Sequence, residues 1–328
     1  MMSGKVLLDH LAYVIYEHPD LDRFRAFAHD FGFEVAKEVD GVLYLNGYGR
    51  DPYSYIAIQA PAEGPKRFIG AGFAAKSETD FDLACRVKGA KIKSADRLPG
   101  AGRVVVLTDP NGYEMHVVWG QRASDGPVQP ASALVDTETP MNGAVEKKRK
   151  GKFVRLTPGP ARIHKLGHFG YITDNYENTC SWYSGCFNLV PTDVLFAPEN
   201  QSLDVATFFR LDLGEHYVDH HSLLITRGES AGTKVHHSSF EVEDLETQFM
   251  GHKWLQARKY DLVWGVGRHF HGSQVFDYWY DTSGFIIEHY ADGDMVNNTT
   301  EVTRAAAGNM AVWGPPVPEI WGGSQTSS

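Results

Sequence analysis

The chain has 328 residues, 42% of them hydrophobic and 22% charged, with a formal charge of −10. That length exceeds one ordinary core and predicts two domains, while the apolar share excludes wholesale disorder. The acidic balance excludes nucleic-acid binding as the main task, no apolar run approaches the roughly 20 residues needed to span a bilayer, and three cysteines are too few for a disulfide framework.

The opening residues, MMSGKVLLDHLAY, place Asp9 and His10 where a secretory signal requires an apolar stretch, so a cytoplasmic location is expected. Leu8–Ile15 reads as a strand and Leu21–Ala28 as a helix. The β-branched run Val104–Leu107 leads into Asp109-Pro110-Asn111-Gly112, a turn signal that predicts a hairpin. From 123 to 160 the chain is rich in Pro, Ser, Thr, Gly and charge, without a sustained period, as a linker is. Its basic run, Lys147 to Lys152, is read as solvated linker and not as a nucleic-acid patch.

Regular patterning resumes at Lys165–Ile172, a strand that carries His168. A helix over Tyr176–Tyr183 follows, with Cys180 at a packing position, then strands at Val205–Leu211 and Ser222–Thr226. Another strand opens at Val235 with His236 and His237, followed by a helix over Leu245–Arg258 and strands at Val275–Tyr280 and Phe285–Tyr290. Between the last two lies Asp281-Thr282-Ser283-Gly284, repeating the Asp-x-x-Gly turn of the first half. A unit of strand, helix and about three strands thus recurs four times. Units this small cannot bury a sheet face alone, so they should pair within each domain. The expected class is α+β: two domains, each of paired βαβββ modules forming a curved mixed sheet, or half-barrel, around a cavity. The expected limits are 1–122, a linker at 123–160, 161–300, and a tail at 301–328. The tail reads as irregular from Gly308, with Trp313 and Trp321 available to pack on a neighbouring surface.

Most of the fifteen histidines lie in the second half. Glu288, flanked by Ile286, Ile287 and Tyr290, would be a costly buried charge without a cation partner. Two histidines and one carboxylate on separate strands are the parts of a facial metal triad, which leaves half of an ion's coordination sphere open.

The stretch from Gly267 to Glu288, with His269, Tyr278 and Gly284 at fixed spacings between, resembles the vicinal oxygen chelate superfamily. Within it the chain looks like the two-domain type I extradiol ring-cleavage dioxygenases. Asp277 and Thr282 depart from the pattern, where an apolar residue and the proline of the turn are usual. The resemblance implies metal ligands at His168, His237 and Glu288, holding Fe(II), with Mn(II) acceptable to the same donors. Strand register favours His237, because a period of two sends His236 to the opposite face. The family's acid–base histidine falls on His221, with His220 the nearby alternative. His269 and Tyr278 match positions that hydrogen-bond the substrate or oxygen. No constant role falls on His271, while His164, His216, His252 and His289 are read as ordinary structural residues.

The implied partners are a small aromatic diol and dioxygen, and related enzymes assemble as homo-oligomers. Phe169, Phe209, Phe270 and Phe276 are expected around the cavity. Two other readings stay open on the same scaffold: a glyoxalase-type isomerase or lyase, and a binding protein of the bleomycin-resistance kind. The first typically has a glutamate ligand where this chain has His220 or His221; the second needs no metal. The N-terminal half offers a control. There His10 is taken as the counterpart of His168 and His116 as that of Glu288, and Phe68–Ala74 has no histidine, so no metal is expected in that half.

Overall fold

The computed structural model describes residues 4–62, 64–95, 98–124, 141–153, 156–228 and 232–322. The first unit comprises β1 (Leu8–His18), α1 (Leu21–Phe31), β2 (Glu34–Val39), β3 (Val42–Asn46) and β4 (Tyr55–Gln59). The second has β5 (Arg67–Ala75), α2 (Glu78–Ala84), β6 (Lys91–Ser94), β7 (Arg103–Thr108) and β8 (Glu114–Trp119). The third has β9 (Ile163–Thr173), α3 (Tyr176–Cys186), β10 (Leu189–Ala197), β11 (Asn200–Leu211), the short β12 (Val218–Asp219) and β13 (Leu223–Arg227). The fourth has β14 (Thr233–Val242), α4 (Leu245–Ala257), β15 (Leu262–His269), β16 (Val275–Tyr280) and β17 (Ile286–Ala291). Three short strands end the chain: β18 (Met295–Val296), β19 (Thr303–Ala306) and β20 (Ala311–Trp313).

Local chemistry sets the helix ends. Asp20 caps α1 by accepting from the Arg23 N–H at 2.9 Å, and Gly32 closes it in the left-handed conformation. Leu21, Phe24, Phe27, Ala28 and Phe31 form the buried stripe of α1. Asp244 caps α4 in the same way, accepting from Thr247 N–H at 2.7 Å. Among the described residues no helix is long and apolar enough to cross a membrane.

All described strands but β12 and β18, which pair with each other, form two mixed sheets, one of them a half-barrel. Their orders are β2-β3-β4-β1-β5-β8-β7-β6 and β19-β10-β11-β13-β9-β14-β17-β16-β15-β20. In each, the opening strands of the two units lie antiparallel at the centre, β1 beside β5 and β9 beside β14. That arrangement brings β9, β14 and β17 side by side. The tail is more regular than its composition implies. β19 pairs with β10 and β20 with β15, because both sheet edges offer unpaired backbone groups that a passing strand can satisfy. The basic run Lys147 to Lys152 has no regular structure and is exposed apart from the half-buried Arg149.

One continuous core cluster draws on both halves, from Phe31 and Tyr55 to Phe169, Tyr183 and Phe240. The backbones meet closely: a Cβ on Gly47 would stand 1.8 Å from the Ile163 carbonyl oxygen, and one on Gly49 2.1 Å from that of His164. The two Asp-x-x-Gly turns dock reciprocally. Asp109 accepts from the Tyr171 phenol at 2.8 Å, and Asn111 from Thr173 at 2.9 Å. In the other direction Ser283 bonds His18 at 2.9 Å. The missing proline at Thr282 leaves the turn intact, since Asp281 accepts from the backbone of Ser283 and Phe285 at 2.8 and 2.9 Å.

Candidate metal centre

Ser239 of β14 pairs with His168 on one side and with Glu288 on the other. His168, His237 and Glu288 are brought together from these three neighbouring strands and are all buried. The His168 and His237 Nε2 atoms lie 2.9 Å apart. Glu288 Oε2 is 3.3 Å from the first and 3.4 Å from the second. The three donors therefore form a small triangle, all ligand atoms within 4.8 Å of one another. Ligands about 2.1 Å from a shared ion in adjacent octahedral positions would be separated by about 3 Å.

The donors suit a divalent cation. Both Glu288 oxygens are buried without a hydrogen-bond partner. Burial acts to raise the Glu288 carboxyl, yet the two imidazoles outweigh it and hold the group below the ordinary carboxylate range. Burial lowers His168 to about 4 despite the neighbouring carboxylate, so at neutral pH its lone pair is free to ligate.

Around the triangle stand the other residues marked in the sequence. The His221 ring packs 4.0 Å from that of His168, and burial, with His168 beside it, lowers its pKa well below the usual value. His269 Nδ1 lies 3.0 Å from the Met310 carbonyl, which can only accept, so Nδ1 is the donor. With the ring neutral, Nε2 then accepts from the Tyr278 phenol at 2.8 Å. Burial and nearby Glu288 raise Tyr278 far above its normal range, keeping its O–H a donor.

These groups line a cavity of about 780 Å³ with Phe208, Leu224, Arg227 and Trp321 on its wall. Of the phenylalanines expected there, Phe169 and Phe209 belong to the core and Phe276 packs on Trp264 in a smaller cluster, while Phe270 is exposed. Alternation explains it: along β11 it is Phe208, not Phe209, that faces the cavity.

His236 requires a correction. It lines the same cavity as His237, its Nδ1 2.6 Å from His237 Nδ1 and its ring stacked on Trp321. A bulge between Val235 and His237 breaks the period of two. The control half is corrected too. Gly72 of β5 pairs with Tyr13 and His116, as Ser239 pairs with His168 and Glu288. The counterpart of His168 is therefore Tyr13, whose phenol bonds His116 at 2.9 Å, and not His10, which faces Asp9 and Asp51 at the surface. Matching His10-Leu-Ala-Tyr13 to His168-Phe-Gly-Tyr171 slips the register by three residues.

Asp193 escaped the sequence reading, and Trp321 was expected only to pack on some neighbouring surface. Asp193, inside β10, accepts from His220 Nε2 at 3.1 Å and from His271 Nδ1 at 2.8 Å. It shares with Glu288 the signal of a carboxylate within an apolar strand. Trp321 packs 4.9 Å from Tyr278, a contact no local pattern announces. Of the histidines read as structural, His252 bonds Asp277 at 2.9 Å and His289 bonds the Phe31 carbonyl at 2.7 Å. Asp277 thus turns to the α4 side, away from the cavity.

Residues 165–289 match the family model described as Glyoxalase/Bleomycin resistance protein/Dioxygenase superfamily. Over 322 residues the chain is 27% identical to Metapyrocatechase 2 of Cupriavidus necator, spanning 96% of this chain and 90% of that protein. Its fold is similar to homoprotocatechuate 2,3-dioxygenase from Brevibacterium fuscum, solved as an anaerobic complex with 3,4-dihydroxyphenylacetate. That likeness has a TM-score of 0.76 at 16% identity, covering 98% of this chain and 93% of the other. The Mn(II)-bound glyoxalase from Novosphingobium aromaticivorans gives 0.71 at 18% identity, covering 97% and 92%.

Proposed function

Because residues 165–289 match the glyoxalase, bleomycin-resistance and dioxygenase superfamily model and the chain has the two-domain extradiol dioxygenase fold, we propose that it cleaves the ring of a catechol-type diol at an Fe(II) centre, Mn(II) being the alternative ion. The observation that carries the reading is the buried triangle of His168, His237 and Glu288 beside a partly open cavity lined by imidazoles and apolar side chains. His168, His237 and Glu288 would hold the ion, which when bound would bring diol and dioxygen together and lower the diol's pKa.

The chain's own residues supply the rest. His221, beside His168, accepts a proton from the diol and returns it later in the turnover. Tyr278, held protonated, turns its one O–H from His269 Nε2 to the substrate oxygen that becomes a ketone, while His269 stays anchored on the Met310 carbonyl. Phe208, Leu224 and Trp321 exclude water and suit a planar ring. The product is a ring-opened semialdehyde or keto acid.

The test is anaerobic loading with Fe(II) or Mn(II), then oxygen uptake with a panel of catechols. Stoichiometric uptake and a new yellow chromophore are expected. Metal retention with no uptake across the panel, but isomerisation of an unsaturated substrate, would transfer the chain to the isomerase reading. Failure to retain any divalent ion would leave the binding-protein reading.

A further inference from the structure

A chain of buried side chains leads away from the cavity behind His221. His220 Nδ1 lies 3.2 Å from His221 Nδ1, with the two rings nearly perpendicular. On its far edge His220 Nε2 meets Asp193 Oδ2 at 3.1 Å. The carboxylate is itself anchored, by His271 Nδ1 at 2.8 Å and by the Thr303 hydroxyl of β19. Asp193, His220 and His221 are all nearly inaccessible to solvent, at 5%, 5% and 3%. The loop behind them is shaped to the ring: Gly272 is left-handed, and a Cβ there would stand 3.0 Å from His220 Nδ1.

Hydrogen-bond bookkeeping then fixes the tautomers. A carboxylate only accepts, so His220 Nε2 carries the proton toward Asp193. In a neutral ring His220 Nδ1 is left as an acceptor, and His221 Nδ1 must donate to it. His221 is thereby turned with Nδ1–H toward His220, leaving Nε2 as the bare nitrogen of its ring. We infer that His220, held by Asp193, is a positioning residue that sets the tautomer and orientation of His221 for proton acceptance. The logic is that of a carboxylate orienting a catalytic imidazole, with one further imidazole inserted between them. It rests on the proposed role of His221 as acid–base group.

Three variants and one spectroscopic measurement test it. In the metal-loaded enzyme, His220→Leu removes the acceptor and should lower kcat about 10-fold or more, leaving KM within about twofold and metal content unchanged. His220→Asn, whose amide oxygen can still accept from His221, should recover most of that loss. Asp193→Asn, nearly isosteric, should lower kcat in the same direction and stands in if the leucine variant does not fold. Nitrogen-15 shifts of the histidine rings, read in the Zn(II)-loaded protein without substrate, should show His221 protonated on Nδ1, with mixed tautomers in His220→Leu.

Wild-type kcat in both His220→Leu and Asp193→Asn would overturn the inference. So would a His221 ring protonated on Nε2 in the native protein, the outcome if His220 is a doubly protonated donor. Because the tautomer is read without turnover, it separates this inference from the ring-cleavage reading: absence of ring cleavage with His221 still protonated on Nδ1 would sink only the latter.

Discussion

Glu288 and His289 are adjacent and point to opposite faces of β17, and their environments ask opposite things of charge. Glu288 is an anion between two imidazoles, with no hydrogen-bond partner for either oxygen. Glu288→Gln keeps the shape and removes the charge, so metal retained after gel filtration should fall to about a tenth or less; full loading by elemental analysis would contradict the ligand role. His289 is stacked 3.7 Å from Phe31 and bonded to its carbonyl, and burial lowers it to about 4. The unfolded chain takes up this proton near pH 6.5 and the folded one only near 4, so stability falls as pH drops through that window. The loss is on the order of 3 kcal/mol. His289→Gln preserves the donor to Phe31 without the titration, and its melting temperature should fall less steeply from pH 6.5 to 4 than that of the native protein. Parallel curves would show that His289 does not titrate as described.

At the scale of elements, the C-terminal segment does what its composition conceals. β19 and β20 extend opposite edges of the second sheet, and the turn at Glu319–Trp321 then returns to the cavity. Trp321 lies 5.1 Å from His236, 4.9 Å from Tyr278 and 5.7 Å from Trp264, ring centre to ring centre. It therefore forms a wall of the site from a segment remote in sequence from the metal ligands. Trp321→Ala should leave metal content unchanged and raise KM for a small diol about 10-fold, on the loss of roughly 1–2 kcal/mol of aromatic contact. An unchanged KM in steady-state kinetics would mean that the ring covers the cavity without touching substrate. The bulge in β14 has a comparable effect on one strand. It adds His236 to the cavity lining, where a regular strand would have turned that ring outward.

The whole molecule is held by exchange between its halves. Tyr16 bonds Ser238 at 2.6 Å, Asp30 accepts from Trp254 and Tyr260 at 3.1 and 3.0 Å, and Asn188 accepts from the Leu8 N–H at 2.8 Å. Each Asp-x-x-Gly turn seats on the opening strand of the other half, Asn111 on Thr173 and Ser283 on His18. A single core cluster crossing this seam argues for one cooperative unfolding transition. Gly47→Ala would drive a methyl group into the Ile163 carbonyl and should destabilise the protein by about 2–3 kcal/mol in denaturant titration. Two resolved transitions in the native protein would show that the halves unfold independently.

Periodicity and punctuation in the sequence determined the repeating unit of strand, helix and strands. Those signals are local: a strand alternates and a helix buries a stripe wherever they lie. The carboxylate at Glu288 was legible for a related reason, because a charge inside an apolar strand requires a partner, and two strand-borne histidines were available. Only the tertiary structure decided which face His236 takes, that Tyr13 and not His10 stands where His168 does, that Asp193 meets His220, and that Trp321 reaches the cavity. Each depends on a partner distant in the chain: a bulge against β9, a pairing with β5, or a strand edge that captures the tail. Pattern along one segment carries no record of such partners, since the energy that selects them arises only when the segments meet.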